Sequence, residues 1–257
     1  MTNVDYGLKG RTALITGATG GIGSAIATTM YKLGTNLVIS GRDLTRLNAL
    51  RDTIYNTIDT QIKNQSIICI PMDLTAINAE TTLIQRTMEQ TERLDILINN
   101  AGMVDGQMFL KTKPLFLDQI MHTNFTAPYK LAQAALPYML KNKYGRIICI
   151  TSVAGIVGDA GMSAYAASKG ALASATKSIA TEYGRRNITA NCVAPGIIET
   201  AEIKKISAAY QRQIKENIPS RRFGTPDDVA NLVAFLASEL ASYINGQQIS
   251  VNGGLIR

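Results

Sequence analysis

Tyr165 and Lys169 lie four positions apart, a spacing that brings two side chains together on one helix face. A phenol alone is a poor acid or base near neutrality, because its ordinary pKa is about 10. A neighbouring ammonium stabilises the phenolate and would draw that value toward the working range. The pair therefore suits proton transfer at an oxygen, such as that of a carbonyl group. A second place for chemistry is the run Thr16-Gly17-Ala18-Thr19-Gly20-Gly21-Ile22-Gly23. Glycines let a backbone turn sharply and approach a pyrophosphate, and the N–H groups opening a following helix attract the anion. The spacing Gly17-x3-Gly21-x-Gly23 differs from G-x-G-x-x-G, and no Lys stands where an ATP-binding P-loop needs one. By itself the run reads either as a tight turn or as a phosphate cradle; between a strand and a helix, dinucleotide binding is favoured.

The next apolar run ends at Ser40-Gly41-Arg42-Asp43. An acid at that strand end would bind the ribose hydroxyls of NAD, whereas an Arg would accommodate the 2′-phosphate of NADP. Gly41 holds the acid's place, Arg42 follows, and Asp43 reads as the N-cap of a helix from Leu44. NADP(H) is the preferred cofactor. NAD(H), with Arg42 as a solvated loop residue, is the alternative.

These groups need a scaffold, and the chain marks one. Short Ile-, Val- and Leu-rich runs occupy 12–16, 37–40, 67–71, 96–99, 146–151, 189–194 and 248–251. With little polar alternation, they read as strands buried on both faces. Between them lie helical spacings: Ile22, Ile26, Met30 and Leu33; Phe116, Ile120, Phe125 and Tyr129, continuing past Pro128; 165–183; and Val229, Leu232, Val233 and Leu236 behind Pro226 and Asp227. Alternating strand and helix predicts an α/β fold: one domain over 1–257, a Rossmann-type doubly wound parallel sheet of about seven strands with helices on both faces.

Composition narrows the function classes. At 46% hydrophobic and 18% charged residues, the 257-residue chain is neither disordered nor a disulfide scaffold. A net charge of +7 favours anionic partners without choosing among them. Cys69, Cys149 and Cys192 fit neither a zinc site nor a CxxC pair and read as buried free thiols. His122, the only histidine, reads as structural, and no metal site is expected. The segment MTNVDYGLKGR has no apolar core and no run suits a membrane helix, so the expected location is cytoplasmic. A long Lys/Arg run or an aromatic stacking series, as in nucleic-acid binders, is missing.

Thr16–Gly23, Asp73, Asn99-Asn100-Ala101-Gly102, Asn124, Ser152, Tyr165-Ala166-Ala167-Ser168-Lys169 and Pro195-Gly196, in this order, resemble the short-chain dehydrogenase/reductase family over nearly the whole chain. The resemblance implies that Asn124, Ser152, Tyr165 and Lys169 are catalytic. Ser152 would hold the substrate oxygen beside Tyr165, Lys169 would also bond the nicotinamide ribose, and Asn124 would hold a water of the proton relay. Ser168 and Thr151 are the nearest decoys for Ser152. It further implies cofactor contacts from Gly17, Thr19, Gly20, Gly21, Ile22, Gly23 and Arg42. Asp73 with Leu74 would meet the adenine. Asn99, Ala101 and Gly102 would lie beside the cofactor, with a bracing role for Asn99 as the alternative. Pro195, Gly196, Ile198 and Thr200 would close over the nicotinamide.

Within the family the chain is most similar to the branch that reduces 3-oxoacyl groups on acyl carrier protein. Lys143 and Arg186, enlarged by Lys141 and Arg185, match cations that dock the acidic carrier there; a plain solvated face is the alternative. Met103-Val104-Asp105-Gly106-Gln107 and residues 159–164 depart from that branch. Another small alcohol or ketone, a sugar, a polyol or a steroid is thus the alternative substrate. Ile203, Ile206, Ala208, Ala209 and Ile214 suggest an apolar lid. A dinucleotide sensor on the same fold would not need the Ser152–Tyr165–Lys169 set. Relatives are mostly homotetramers, and the Ala-rich faces (Ala127, Ala132, Ala134, Ala135; Ala167, Ala171, Ala173, Ala175) would permit close helix approach.

Overall fold

A computed structural model of the chain describes residues 4–57, 65–201, 203 and 207–256. Ile206 lies outside the described residues. The seven apolar runs are strands of one parallel sheet: β1 (Thr12–Thr16), β2 (Asn36–Gly41), β3 (Ile67–Pro71), β4 (Ile96–Asn99), β5 (Gly145–Ile150), β6 (Ile188–Pro195) and β7 (Gln248–Val251). Their order is β3-β2-β1-β4-β5-β6-β7, so the winding reverses between β1 and β4. A crevice outside the carboxyl ends of the strands at such a reversal is where open α/β sheets bind ligands.

The helices are α1 (Gly21–Lys32), α2 (Leu44–Thr57), α3 (Ala79–Thr91), α4 (Pro114–Met121), α5 (Ala127–Asn142), α6 (Ala154–Val157), α7 (Ser163–Tyr183), α8 (Ala208–Glu216) and α9 (Pro226–Ala237). One face of the sheet packs on α1 and α9 through Ile26, Met30, Val229 and Val233. The other packs on α3, α5 and α7 through Leu83, Leu131, Ala135, Leu172 and Ala173. Pro226 opens α9 behind a reciprocal cap, Thr225 accepting from the Asp228 N–H and Asp228 from the Thr225 N–H. The helix expected to run through Pro128 does so. It passes through a wider π-turn over His122–Thr126 that absorbs the join between α4 and α5.

Three readings are adjusted. Cys69 is half-buried rather than buried, while the buried Cys149 and Cys192, distant in the chain, register side by side on β5 and β6. Ala127, Ala132, Ala135 and Ala173 are buried within the subunit. Of the Ala-rich faces, only Ala134, Ala167, Ala171 and Ala175 are left for approach by a second copy. The reason is that α5 and α7 use their small side chains to sit close on their own sheet. Finally, α3 had no marked spacing, because only Leu83, Ile84 and the flanking Ala79, Glu80 and Thr87 turn inward.

The amino ends of the strands carry an ion cluster. Asp95, fully buried, accepts from Arg93 Nε at 2.6 Å, Arg11 Nη1 at 3.5 Å and the Thr12 N–H at 2.9 Å. Glu239 accepts from Arg11 Nη2 at 2.9 Å and Arg146 Nη2 at 3.3 Å. Both guanidinium groups stack on Tyr144, at 3.6 and 4.2 Å from its ring centre.

Candidate active site

The glycine turn joins β1 to α1, and its glycines divide by role. Gly17 has φ +62°, and a Cβ there would lie 2.7 Å from the Ala101 Cα; a Cβ on Gly23 would strike the Gly17 carbonyl. These two permit the turn itself. A Cβ on Gly20 would meet only the Gly17 oxygen, at 3.5 Å, and one on Gly21 only the edges of Thr200 and Pro226. Those two leave open space in front of the α1 amino end, whose first N–H groups have no side-chain cap. The turn is braced by Asn100, whose Nδ2 donates to the carbonyls of Thr16 and Gly17 at 3.0 Å each. Thr16 Oγ1 in turn accepts from the Ala101 N–H at 3.0 Å. Asn100 had been assigned no role in the sequence; its link runs across 83 residues and leaves no local signal. The open cradle and uncapped helix end fit the pyrophosphate of a dinucleotide.

At the end of β2, Asp43 Oδ1 accepts the Arg46 N–H at 3.2 Å, the expected cap of α2. Arg42 is exposed there, close enough to Asp73 to help lower its carboxyl pKa. The larger causes are the Thr75 N–H and hydroxyl, both bonded to Asp73 Oδ1, at 2.9 and 2.8 Å. His122 Nε2 meets the Leu74 carbonyl at 3.1 Å and so ties the π-turn to this loop, in keeping with a structural role.

Ser152 lies two residues beyond β5, its Oγ accepting from the Ala154 N–H at 3.2 Å. Tyr165, 7% exposed, and Lys169, 4% exposed, stand one turn apart on α7. The Tyr165 hydroxyl faces Ser152, whose hydroxyl is near enough to favour the phenolate. Lys169 Nζ donates to the Ile150 carbonyl at 2.9 Å and lies 5.8 Å from the Tyr165 ring centre. The structure thus brings Ser152, Tyr165 and Lys169 together. It gives the decoys other work: Ser168 Oγ donates to the Tyr165 carbonyl, and Thr151 Oγ1 to the Val193 carbonyl.

The expected electrostatics are reversed. Burial raises the Tyr165 pKa, with the facing Ser152 hydroxyl as a smaller opposing effect. Burial also lowers Lys169 to about 8. Desolvation disfavours both charged forms, and the ammonium is directed to the Ile150 carbonyl.

Asn124 is fully buried in the π-turn, its Oδ1 accepting from Met103 N at 2.8 Å. Its Nδ2 donates to the Met103 carbonyl at 2.9 Å and to Ser168 Oγ at 3.2 Å. A side chain so engaged positions the strand-end loop. Gly102 lies between it and Lys169, where a Cβ would be 3.2 and 3.3 Å from Asn124 Oδ1 and Lys169 Nζ. Asn99 turns inward, donating to the Pro128 carbonyl at 3.2 Å and facing Cys149 Sγ at 3.7 Å. Its side chain follows the bracing alternative. The chain after β6 leaves Pro195 and crosses Gly196, whose N–H donates to the Val251 carbonyl at 2.9 Å. Ile198 then bridges to Gly224, and Thr200 returns beside Gly21.

Lys143 and Arg186 are brought together, but elsewhere. Lys143 caps the end of α5, its carbonyl held by Asn187 Nδ2 at 3.2 Å, and Arg186 precedes β6. Both therefore stand at the amino ends of β5 and β6. Ser152 follows the carboxyl end, about 20 Å away along a six-residue strand.

Fold, cradle and polar set together define a class, and comparison with known proteins agrees. The family model described as Enoyl-(Acyl carrier protein) reductase matches residues 17–256. The chain belongs to the short-chain dehydrogenase/reductase family and is an oxidoreductase acting on CH–OH or keto groups with a nicotinamide dinucleotide. Among individual relatives, it is 40% identical to the 3-oxoacyl-[acyl-carrier-protein] reductase FabG of Rickettsia bellii over 249 residues, 97% of this chain and 98% of that protein. It is 38% identical to Nodulation protein G of Rhizobium meliloti over 250 residues, again 97% and 98% of the two chains. The solved structure of YwfH, an NADPH dependent reductase involved in bacilysin biosynthesis, matches with a TM-score of 0.90 at 32% identity, covering 97% of this chain and 99% of its own. No helix among the described residues is long and apolar enough to cross a membrane.

Proposed function

We propose that the chain is an NADPH-dependent reductase of 3-oxoacyl groups, carried on acyl carrier protein or on coenzyme A, giving the 3-hydroxyacyl form. The observation that carries the reaction type is the buried Tyr165 one turn from Lys169 on α7, with Ser152 facing its hydroxyl, at the strand ends beside the glycine cradle. Support for the substrate comes from the relatives named as 3-oxoacyl-[acyl-carrier-protein] reductases. Arg42 at the β2 end supports the 2′-phosphorylated cofactor.

A reduced nicotinamide, held at the glycine cradle, would supply the hydride for the carbonyl carbon. Ser152 Oγ and Tyr165 Oη hold the carbonyl oxygen, and Tyr165 gives that oxygen its proton. The raised Tyr165 pKa suits this direction, since it keeps the phenol protonated at neutral pH. Lys169 orients the site through its bond to Ile150 and would also hold the cofactor ribose. Asn124 fixes Met103 and Ser168, and so the floor beneath Tyr165.

In this reading Lys143 and Arg186 dock the acidic carrier. Their place at the amino ends requires either an arm that reaches around the sheet or delivery to another copy's cleft. A homotetramer would offer such a cleft. A second reading, a dehydrogenase of another small alcohol or ketone, is favoured by residues 103–107. They depart from the branch pattern and leave Val104, with Met108 and Phe109 beyond, exposed at the site's edge.

The test is oxidation of NADPH and NADH with acetoacetyl-CoA and with a purified 3-oxoacyl carrier protein. The proposal predicts NADPH-dependent turnover, higher on the carrier protein. Tight NADPH binding with no turnover on either substrate would move the assignment to the second reading.

A further inference from the structure

We infer that Arg46 is a second specificity-determining cation for the 2′-phosphate of the cofactor, acting with Arg42. The inference rests on the NADPH reading above. The turn from Thr16 to Gly23 contains no cation of its own. Arg46 reaches back from α2 and donates through Nη2 to the Thr19 carbonyl at 3.0 Å, across 27 residues. That bond holds the guanidinium on the lip of the glycine turn. The β2 end lies against the same lip, because a Cβ on Gly41 would be 3.5 Å from Thr19 Oγ1. Arg42, the next residue, and Arg46 therefore border one place.

Electrostatics give that place a preference. Cations in the first turn of a helix oppose its dipole, and anions there are favoured. Yet α2 has Arg46 in its first turn with no acid, and no basic residue in its last turn. Among the described residues Arg46 forms no ion pair. A guanidinium has five N–H donors in a fork, so one bond to Thr19 leaves donors for a phosphate. Arg46 and Arg42 border a spot where Asp43 is spent on capping α2 and Asp73 is held by Thr75, so among the described residues neither guanidinium has an ion-paired counter-charge. A dianionic phosphate on the ribose would supply it.

The experiment is calorimetric titration of 2′,5′-ADP and of 5′-AMP into the purified protein and its variants, with no acyl substrate present. Arg46→Ala should weaken 2′,5′-ADP by about tenfold while changing 5′-AMP by no more than about twofold, the scale of a lost charged hydrogen bond. Arg46→Lys, which keeps the charge and loses the fork, should fall between. Equal weakening of both nucleotides would make Arg46 a brace of the glycine turn and overturn the inference, as would no change in either. If the unaltered protein binds 2′,5′-ADP no better than 5′-AMP, the NADPH reading itself fails, which is a different result.

Discussion

The two ends of the sheet handle polar groups in opposite ways. At the amino ends, Arg11, Arg93, Asp95, Arg146 and Glu239 pair with one another around Tyr144, Arg146 Nε alone among their buried side-chain nitrogen and oxygen atoms being left without a hydrogen-bond partner. At the carboxyl ends, the α1 amino end has no side-chain cap, Arg42 and Arg46 form no ion pair among the described residues, and the Tyr165 hydroxyl faces Ser152. A cluster whose charges are paired with one another offers a ligand little and contributes to stability. A set left incomplete is held in place by the scaffold and completed by what binds. This difference separates chemistry from stability more clearly than residue type does, since both ends are built from Tyr, Arg or Lys, and hydrogen-bonding partners.

Each prediction alters one end and reads whether the other responds. The largest effect should come from Tyr165→Phe. It removes the proton donor, so turnover should fall by about 10³-fold or more, within the range for general acids, with cofactor affinity little changed. Near-normal turnover would remove the acid role. At the other end, Asp95→Asn removes the counter-charge of Arg93 and Arg11, which are themselves partly exposed, and should cost about 1–2 kcal/mol, read as a lowered melting temperature. An unchanged melting temperature would show that the cluster is not a stability element. A smaller and substrate-selective effect is expected from Lys143→Glu with Arg186→Glu. Turnover on a carrier-linked substrate should drop while acetoacetyl-CoA is spared; equal losses would end the docking reading.

The last prediction is a pH dependence. Lys169 has its folded pKa lowered from 10.5 to about 8. Between these values the unfolded chain holds a proton that the folded chain does not, so this group makes stability rise with pH from about 8 to 10.5. Denaturant melts of wild type and Lys169→Met across that window should show the rise in the first and its loss in the second.

Much of this was legible in the sequence. Strands buried on both faces announce themselves as apolar runs, and their bounds fell within a residue or so of the observed ones. Even Arg146, a charge at the head of such a run, proved fully buried. Tyr165 with Lys169 and the glycine turn were found by spacing, because both depend on local geometry. What stayed hidden depends on distant partners. Asn100 reaches Gly17 across 83 residues, and Arg146 meets Glu239 across 93. The direction of the Tyr165 shift depends on burial, which no spacing reveals. Asn99 and Asn124 have side chains spent on bracing, a matter of where each points. Lys143 and Arg186 come from the resemblance, and only the fold places them at the far end of β5.

The most direct test assays and melts Tyr165→Phe and Asp95→Asn side by side. The account predicts a crossed result. Tyr165→Phe should be inactive with its melting temperature nearly unchanged, and Asp95→Asn should melt lower while retaining most of its turnover at 25 °C. An active Tyr165→Phe, or an Asp95→Asn that stays folded with its melting temperature intact but loses turnover, would contradict the division between the two ends.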